Sequence, residues 1–139
     1  MEIKVKKLHP DAKLPWRGTV DAAGLDLFCT KSTVIPQGET VKIPTGLAME
    51  IPKGYCGVVY SRSSSAVSGL IITPLIVDAD YRGEIMAIVR NGTDGAFEVK
   101  AGHRVAQIKI EKLEDVEFVE ADELSETARG TGGYGSTGK

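Results

Sequence analysis

Asp78-Ala-Asp80-Tyr81-Arg82-Gly83-Glu84 follows directly on the apolar run Leu75-Ile76-Val77. A carboxylate at the end of a buried strand is held rigidly and partly desolvated, so its pKa can be tuned and it suits a general base. If the strand continues, Asp78 and Asp80 face one side; if the chain turns, they diverge. Either acid equally suits a structural pairing with Arg82, the commoner use of such a cluster. Upstream, Ser61-Arg62-Ser63-Ser64-Ser65 sets one guanidinium among hydroxyls, a donor group that fits phosphate oxygens or simply a solvated serine loop. Asp26, inside Ala23-Gly24-Leu25-Asp26-Leu27, is an acid within an apolar strand and wants a partner, a metal or a ligand. Gly102-His103-Arg104-Val105-Ala106-Gln107 reads as a turn feeding a strand.

The last eleven residues, Arg129 to Lys139, contain five glycines together with Arg129, Tyr134, Ser136 and Thr137. Such a segment holds no regular structure unaided, yet glycine lets backbone N–H groups converge on an anion. Arg129 can fork onto phosphate oxygens and Tyr134 offers a flat face to a base. The segment therefore reads either as a solvated tail or as a mobile lid that orders over a phosphorylated ligand. A Walker-type loop is expected to be a poor match, since the sequence shows no Ser or Thr and no helix after Lys139. His9 and His103 have no spaced companions for a zinc site, and no nucleophile elbow accompanies them.

Most of the chain is punctuated like an all-β domain. Pro36-Gln-Gly38, Pro52-Lys-Gly54, Asn91-Gly92, Asp94-Gly95 and Lys100-Ala-Gly102 are turn signals. Between them, Ile3/Val5, Leu25/Leu27/Cys29, Val41/Ile43 and Leu47/Met49/Ile51 alternate with period two. Tyr55–Tyr60, Leu70–Val77, Ile85–Val89 and Val105–Ile110 are more continuously apolar, which suits strands covered on both sides. Only Ala121–Thr127 suggests a helix, of little more than one turn. The expected architecture is a distorted jelly roll or β-barrel-like domain over residues 1–128, with one short helix and a flexible Gly-rich tail over 129–139.

One domain suits 139 residues. A net charge of −2 argues against a dedicated nucleic-acid binder, so a polyanionic ligand must meet a local cluster of cations. Aromatics make up only 6% of the chain, so the core must be built from Val, Ile, Leu and Ala. Apolar residues on both strand faces exceed what a small two-layer domain can bury, and subunit association would cover the surplus. Cys29 and Cys56 lack CxxC spacing and read as buried thiols, with a disulfide as the alternative. No run approaches a membrane span and Met1-Glu-Ile-Lys-Val is no signal peptide, so the expected compartment is the cytoplasm, or a host-cell interior for a viral protein.

Taken together and in this order, Ala23-Gly-Leu-Asp-Leu27, Arg62-Ser63, Val77-Asp-Ala-Asp-Tyr-Arg-Gly83, Gly102-His-Arg-Val-Ala-Gln107 and Arg129-Gly-Thr-Gly-Gly-Tyr-Gly-Ser-Thr-Gly138 resemble the trimeric dUTP pyrophosphatase (dUTPase) family. The resemblance implies a jelly-roll homotrimer with three sites at subunit interfaces, hydrolysing dUTP to dUMP and pyrophosphate with Mg²⁺. It implies that Asp78 deprotonates the water attacking the α-phosphorus and that Tyr81 packs under the deoxyribose, excluding a 2′-hydroxyl. Arg62, Ser63, Ser64 and Gln107 would bind phosphates, with Asp26 near the reacting group. Arg129, Gly135, Ser136 and Thr137 would reach the γ-phosphate from another subunit, with Tyr134 over the uracil. Mg²⁺ would be held by phosphate oxygens and water, with no direct protein ligand.

The resemblance also marks departures. Ser61 stands where proline is usual, His103 where aspartate is frequent and Tyr134 where phenylalanine is commoner. The Gly-bearing hairpin that reads uracil is replaced by Ile71-Ile72-Thr73-Pro74-Leu75, which implies either a re-routed hairpin using Thr73 or relaxed base discrimination. Two other functions on the same fold remain: a nucleotide-sensing regulator and a dCTP-deaminase-like relative.

Overall fold

The computed structural model describes residues 1–133, so the contacts expected of Tyr134, Gly135, Ser136 and Thr137 lie outside the described residues. In chain order the elements are β1 (Lys4–Lys7), β2 (Leu25–Phe28), β3 (Thr33–Ile35), β4 (Thr40–Pro44), β5 (Leu47–Glu50) and β6 (Tyr55–Tyr60). There follow α1 (Ser63–Val67), β7 (Leu70–Ile72), β8 (Leu75–Val77), β9 (Met86–Asn91), β10 (Phe97–Val99) and β11 (Arg104–Lys112). All strand pairs are antiparallel and form four sheets: β2-β11-β6-β8, β4-β9-β7, β1-β5 and β10-β3. They make a distorted jelly roll whose sheets stay separate and do not close into a barrel.

The core between the sheets is aliphatic, as the low aromatic content requires. Leu27, Ile35, Ile43, Leu47, Val59, Ile85, Val89 and Ile108 are fully buried, and no aromatic ring is buried among the described residues. Two polar side chains share this interior and are satisfied there. Asn91 donates to the carbonyls of Ile35 (2.9 Å) and Gly95 (2.7 Å), and its own carbonyl accepts from Thr93. Thr45 donates to the Ile85 carbonyl over 2.6 Å. Cys29 and Cys56 are both buried free thiols.

Three expectations need correction. Leu70–Val77 is not one strand and not a hairpin. It divides at Thr73-Pro74, with β7 pairing β9 and β8 pairing β6. Proline lacks the N–H a ladder needs and disfavours a regular continuation, so the chain crosses from one sheet to the other there. Ala121–Thr127 is irregular and wholly exposed; the helix lies instead at Ser63–Val67. A single turn with no buried face cannot offset its nucleation cost, whereas α1 turns the buried Ser65 inward on the link between β6 and β7. Cover on both strand faces holds for β6 but fails for β7 and β8, where Ile71 and Ile76 stand exposed. Among the described residues, no helix is long and apolar enough to cross a membrane.

Candidate active site

The sheet β2-β11-β6 aligns three of the singled-out segments side by side. Gln107, on the central strand, lies opposite Asp26 on β2 and Tyr60 on β6. Ser61 and Arg62 follow immediately. Arg62 Nε donates to Asp26 Oδ1 over 2.7 Å, and Arg62 Nη1 to the Ser64 hydroxyl over 3.1 Å. Gln107 Nε2 donates to the Ser61 carbonyl over 2.8 Å. To get there the amide crosses directly above Gly24, where a Cβ would stand 2.8 Å from Gln107 Cδ and closer still to Oε1. Only glycine leaves that path open.

Arg104, which the sequence marked only as part of a turn, joins this group. Its Nη1 donates to Asp26 Oδ2 over 3.3 Å, and its guanidinium lies 5.7 Å from the Trp16 ring centroid. Trp16 is itself bound to Asp26 by paired backbone hydrogen bonds of 3.0 and 2.8 Å. A regular strand would send Arg104 and Gln107 to opposite faces. A bulge intervenes: Arg104 pairs with Phe28 and Ala106 with Leu27, and both Val105 and Ala106 are buried in succession. The extra residue re-aims Arg104 toward Asp26. Beside it a cleft of about 280 Å³, lined by Arg62, Ser64, Ser68, His103 and Arg104 among others, collects cationic and hydroxyl groups. Asp26 holds both arginines and Glu98 also lines this cleft, so its fit to phosphate oxygens rests on the guanidinium and hydroxyl donors gathered there and not on an excess of positive charge. Ser63 and Ser64 are exposed at its edge.

Asp78 sits elsewhere. After β8 the chain turns, with the Asp78 carbonyl accepting from the Tyr81 amide over 3.1 Å, so Asp78 and Asp80 do not share a strand face. Both are exposed. Arg82 forms no ion pair with them: its Nη1 donates to the carbonyls of Ala79 (2.7 Å) and Tyr81 (3.0 Å). Tyr81 caps a mainly apolar cleft of about 220 Å³ whose walls include Leu75, Val77, Met86 and Ile88. Thr73 is exposed and its amide is committed to the Ile88 carbonyl over 2.9 Å. Because β8 is an edge strand, the outward backbone groups of Leu75–Val77 line that cleft with no strand partner among the described residues.

The two groups lie at opposite ends of one strand. Val77 pairs with Gly57 and Leu75 with Val59, so Asp78 emerges at the start of β6 while Arg62 leaves its end. At ~3.3 Å per residue that separation is roughly 20 Å. A single chain thus carries the two groups of candidate site residues well apart. Arg129 is exposed, with Nε donating to the Gly132 carbonyl over 2.7 Å.

Among the described residues no three of His, Cys, Asp and Glu gather to hold a metal ion. Both oxygens of Asp26 face guanidinium groups. The donor set fits phosphate oxygens, and a Mg²⁺ arriving with a triphosphate would take its ligands from phosphates and water.

Comparison with known proteins bears on this geometry. A family model described as dUTPase matches residues 10–138. The deoxyuridine 5′-triphosphate nucleotidohydrolase of Nautilia profundicola is 44% identical, over 100% of both chains. The protein of the same name from Arabidopsis thaliana is 43% identical over 97% of this chain and 82% of its own. Among solved structures, the Staphylococcus bacteriophage 80alpha dUTPase with dUPNHPP superimposes with a TM-score of 0.92 at 27% identity, covering 99% of each chain.

Proposed function

The chain belongs to the dUTPase family, and from that membership and the placement of its side chains we propose how it hydrolyses dUTP to dUMP and pyrophosphate. Asp78 acts as general base. It draws a proton from a water whose oxygen bonds to the α-phosphorus, while the bond from that phosphorus to the α–β bridging oxygen breaks and pyrophosphate leaves. Arg62, Ser63, Ser64 and Gln107 donate to the phosphates, where negative charge grows in the transition state. Asp26 holds Arg62 and Arg104 in their forward orientation. Bound Mg²⁺ would neutralise triphosphate charge, carried by the substrate rather than by a protein cage.

The nucleoside occupies the cleft beneath Tyr81, whose ring supports the deoxyribose. Uracil presents acceptor, donor and acceptor groups along one edge, and the free backbone edge of β8 matches them. The Thr73 amide is already bonded, which leaves Thr73 its hydroxyl for the base. Arg129, Tyr134, Gly135, Ser136 and Thr137 close over the triphosphate and base as a lid from another subunit, excluding water and aligning in-line attack.

The separation of Asp78 from Arg62 by the length of β6 is the observation that carries this reading. Neither half can work alone, so Asp78 and Tyr81 of one protomer meet Arg62 and Gln107 of the next in a homotrimer. Exposed Ile71, Ile76, Val116, Phe118 and Val119 supply apolar surface for such an assembly. Mixing two inactive variants tests it. Asp78→Asn and Arg62→Ala protomers, unfolded together and refolded as mixed trimers, should recover about a quarter of wild-type turnover, because one ordered neighbour pair in four is intact. Recovery of none, with mixed trimers present, rules out a shared site.

A further inference from the structure

We infer that Glu84 sets the sugar selectivity of the site by fixing where the Tyr81 ring stands. This rests on the reading above that Tyr81 supports the deoxyribose. The segment from Asp78 to Glu84 carries both the proposed base and the sugar-facing ring, and it is exposed over most of its length. Its position therefore depends on a few specific ties. The Arg82 guanidinium bonds to carbonyls of the same turn and so stiffens the turn without attaching it to the body. The Tyr81 hydroxyl donates to the Glu84 carbonyl over 3.0 Å. Its ring folds back across Gly83 so closely that a Cβ there would lie 2.9 Å from Tyr81 Cε2.

Glu84 is where this turn meets the core. Its carboxylate accepts the amide of the buried Gly46 over 2.7 Å, in the tight link between β4 and β5. The next residue is sewn to the same link twice: the Ile85 amide donates to the Leu47 carbonyl over 2.8 Å, and its carbonyl accepts from Thr45 over 2.6 Å. The residue that receives the tyrosine hydroxyl on its main chain thus ties its half-buried side chain to the link between β4 and β5. A charged acceptor on a partly buried amide makes a strong bond. Displacement of Glu84 carries the Tyr81 hydroxyl with it, and a wall that excludes one hydroxyl group tolerates little movement. Glu84 also lines the cleft under that ring, and with its carboxylate held by the Gly46 amide it acts as a positioning residue, through Tyr81.

The test compares kcat/KM for dUTP and UTP in the full-length protein and in Glu84→Ala, Glu84→Gln and Tyr81→Ala. Glu84→Ala should reduce the dUTP-over-UTP preference about tenfold, by admitting UTP as well as slowing dUTP. Glu84→Gln keeps a carbonyl oxygen for the Gly46 amide and should keep the preference. A merely structural role would lower both substrates together and leave their ratio unchanged, which overturns the inference. Should Glu84→Ala be too unstable to assay, Glu84→Asp, one methylene short of Gly46, should show the same loss; an unchanged ratio there overturns the inference equally. Tyr81→Ala separates the two layers. If it leaves the ratio intact, the placement of deoxyribose on Tyr81 is wrong; if it shifts the ratio while Glu84→Ala does not, only the role of Glu84 fails.

Discussion

Arg62 and Asp26 form a 2.7 Å ion pair with little exposure on either side, and the second oxygen of Asp26 is taken by Arg104. One carboxylate therefore aims two guanidinium groups that would otherwise repel each other. Asp26→Asn keeps the shape and one acceptor oxygen but removes the charge. Losing one charge-assisted contact costs about 1.5–3 kcal/mol, so kcat/KM for dUTP should fall by about 10- to 150-fold. Steady-state kinetics with a parallel thermal melt checks this. Unchanged kinetics with a lowered melting temperature would restrict Asp26 to folding.

Removing residues 129–139 separates the proposed lid from the body. In the described part of that segment, Arg129 bonds to Gly132 and the Gly130 amide to Thr127, contacts made within its own turn. Among the described residues, core packing ends at Ile110. A chain stopped after Ala128 should keep its melting temperature and oligomeric state by light scattering. It should lose roughly a hundredfold in kcat, the scale of one missing oxyanion-type contact. Turnover near that of the full chain would remove the tail from the mechanism.

The strands that sequence reading found best are those whose pattern is local. Tyr55–Tyr60 is bounded by a turn and a polar cluster, and the apolar run in the sequence has the same limits as the strand. Thr33–Ile35 and Phe97–Val99 are three-residue strands that, among the described residues, pair only with each other, too short for any periodicity to show. The break at Pro74 was implicit in the residue itself, yet which sheet each half would join depends on partners far along the chain. The same holds at the site. Arg62, Gln107 and Asp26 could be singled out by type and by motif, but their alignment comes from β11 lying between β2 and β6. Arg104 stands in a motif of the sequence without a role there, because alternation sends it away from Gln107, and the bulge that reverses this leaves its trace only in burial. Two consecutive buried residues, Val105 and Ala106, were the available hint. Glu84 gave none, since its partner is a backbone amide at Gly46.

Cys29 provides a pH-dependent signature of the fold. Its thiol is buried and donates to the Lys100 carbonyl over 3.0 Å. Burial pushes the thiol pKa up, partly offset by the His103 and Gly102 backbone and by the Lys13 charge. The folded protein therefore holds the proton that the unfolded chain releases first as pH rises. The contribution is fully present below the unfolded thiol value of about 8.5 and is lost as pH climbs toward the folded value. Within that window stability should decline by up to about 1.4 kcal/mol per pH unit from this group alone. Tyr60, raised by its bond to Glu111, adds an alkaline effect of its own that is common to wild type and variant. Urea midpoints of wild type and Cys29→Ala from pH 7.5 to about 10 isolate the thiol. The variant should begin less stable, because it leaves a small cavity, and should then lose stability more gradually. Parallel curves would mean that Cys29 ionises equally in the folded and unfolded chain, against the enclosure seen around it.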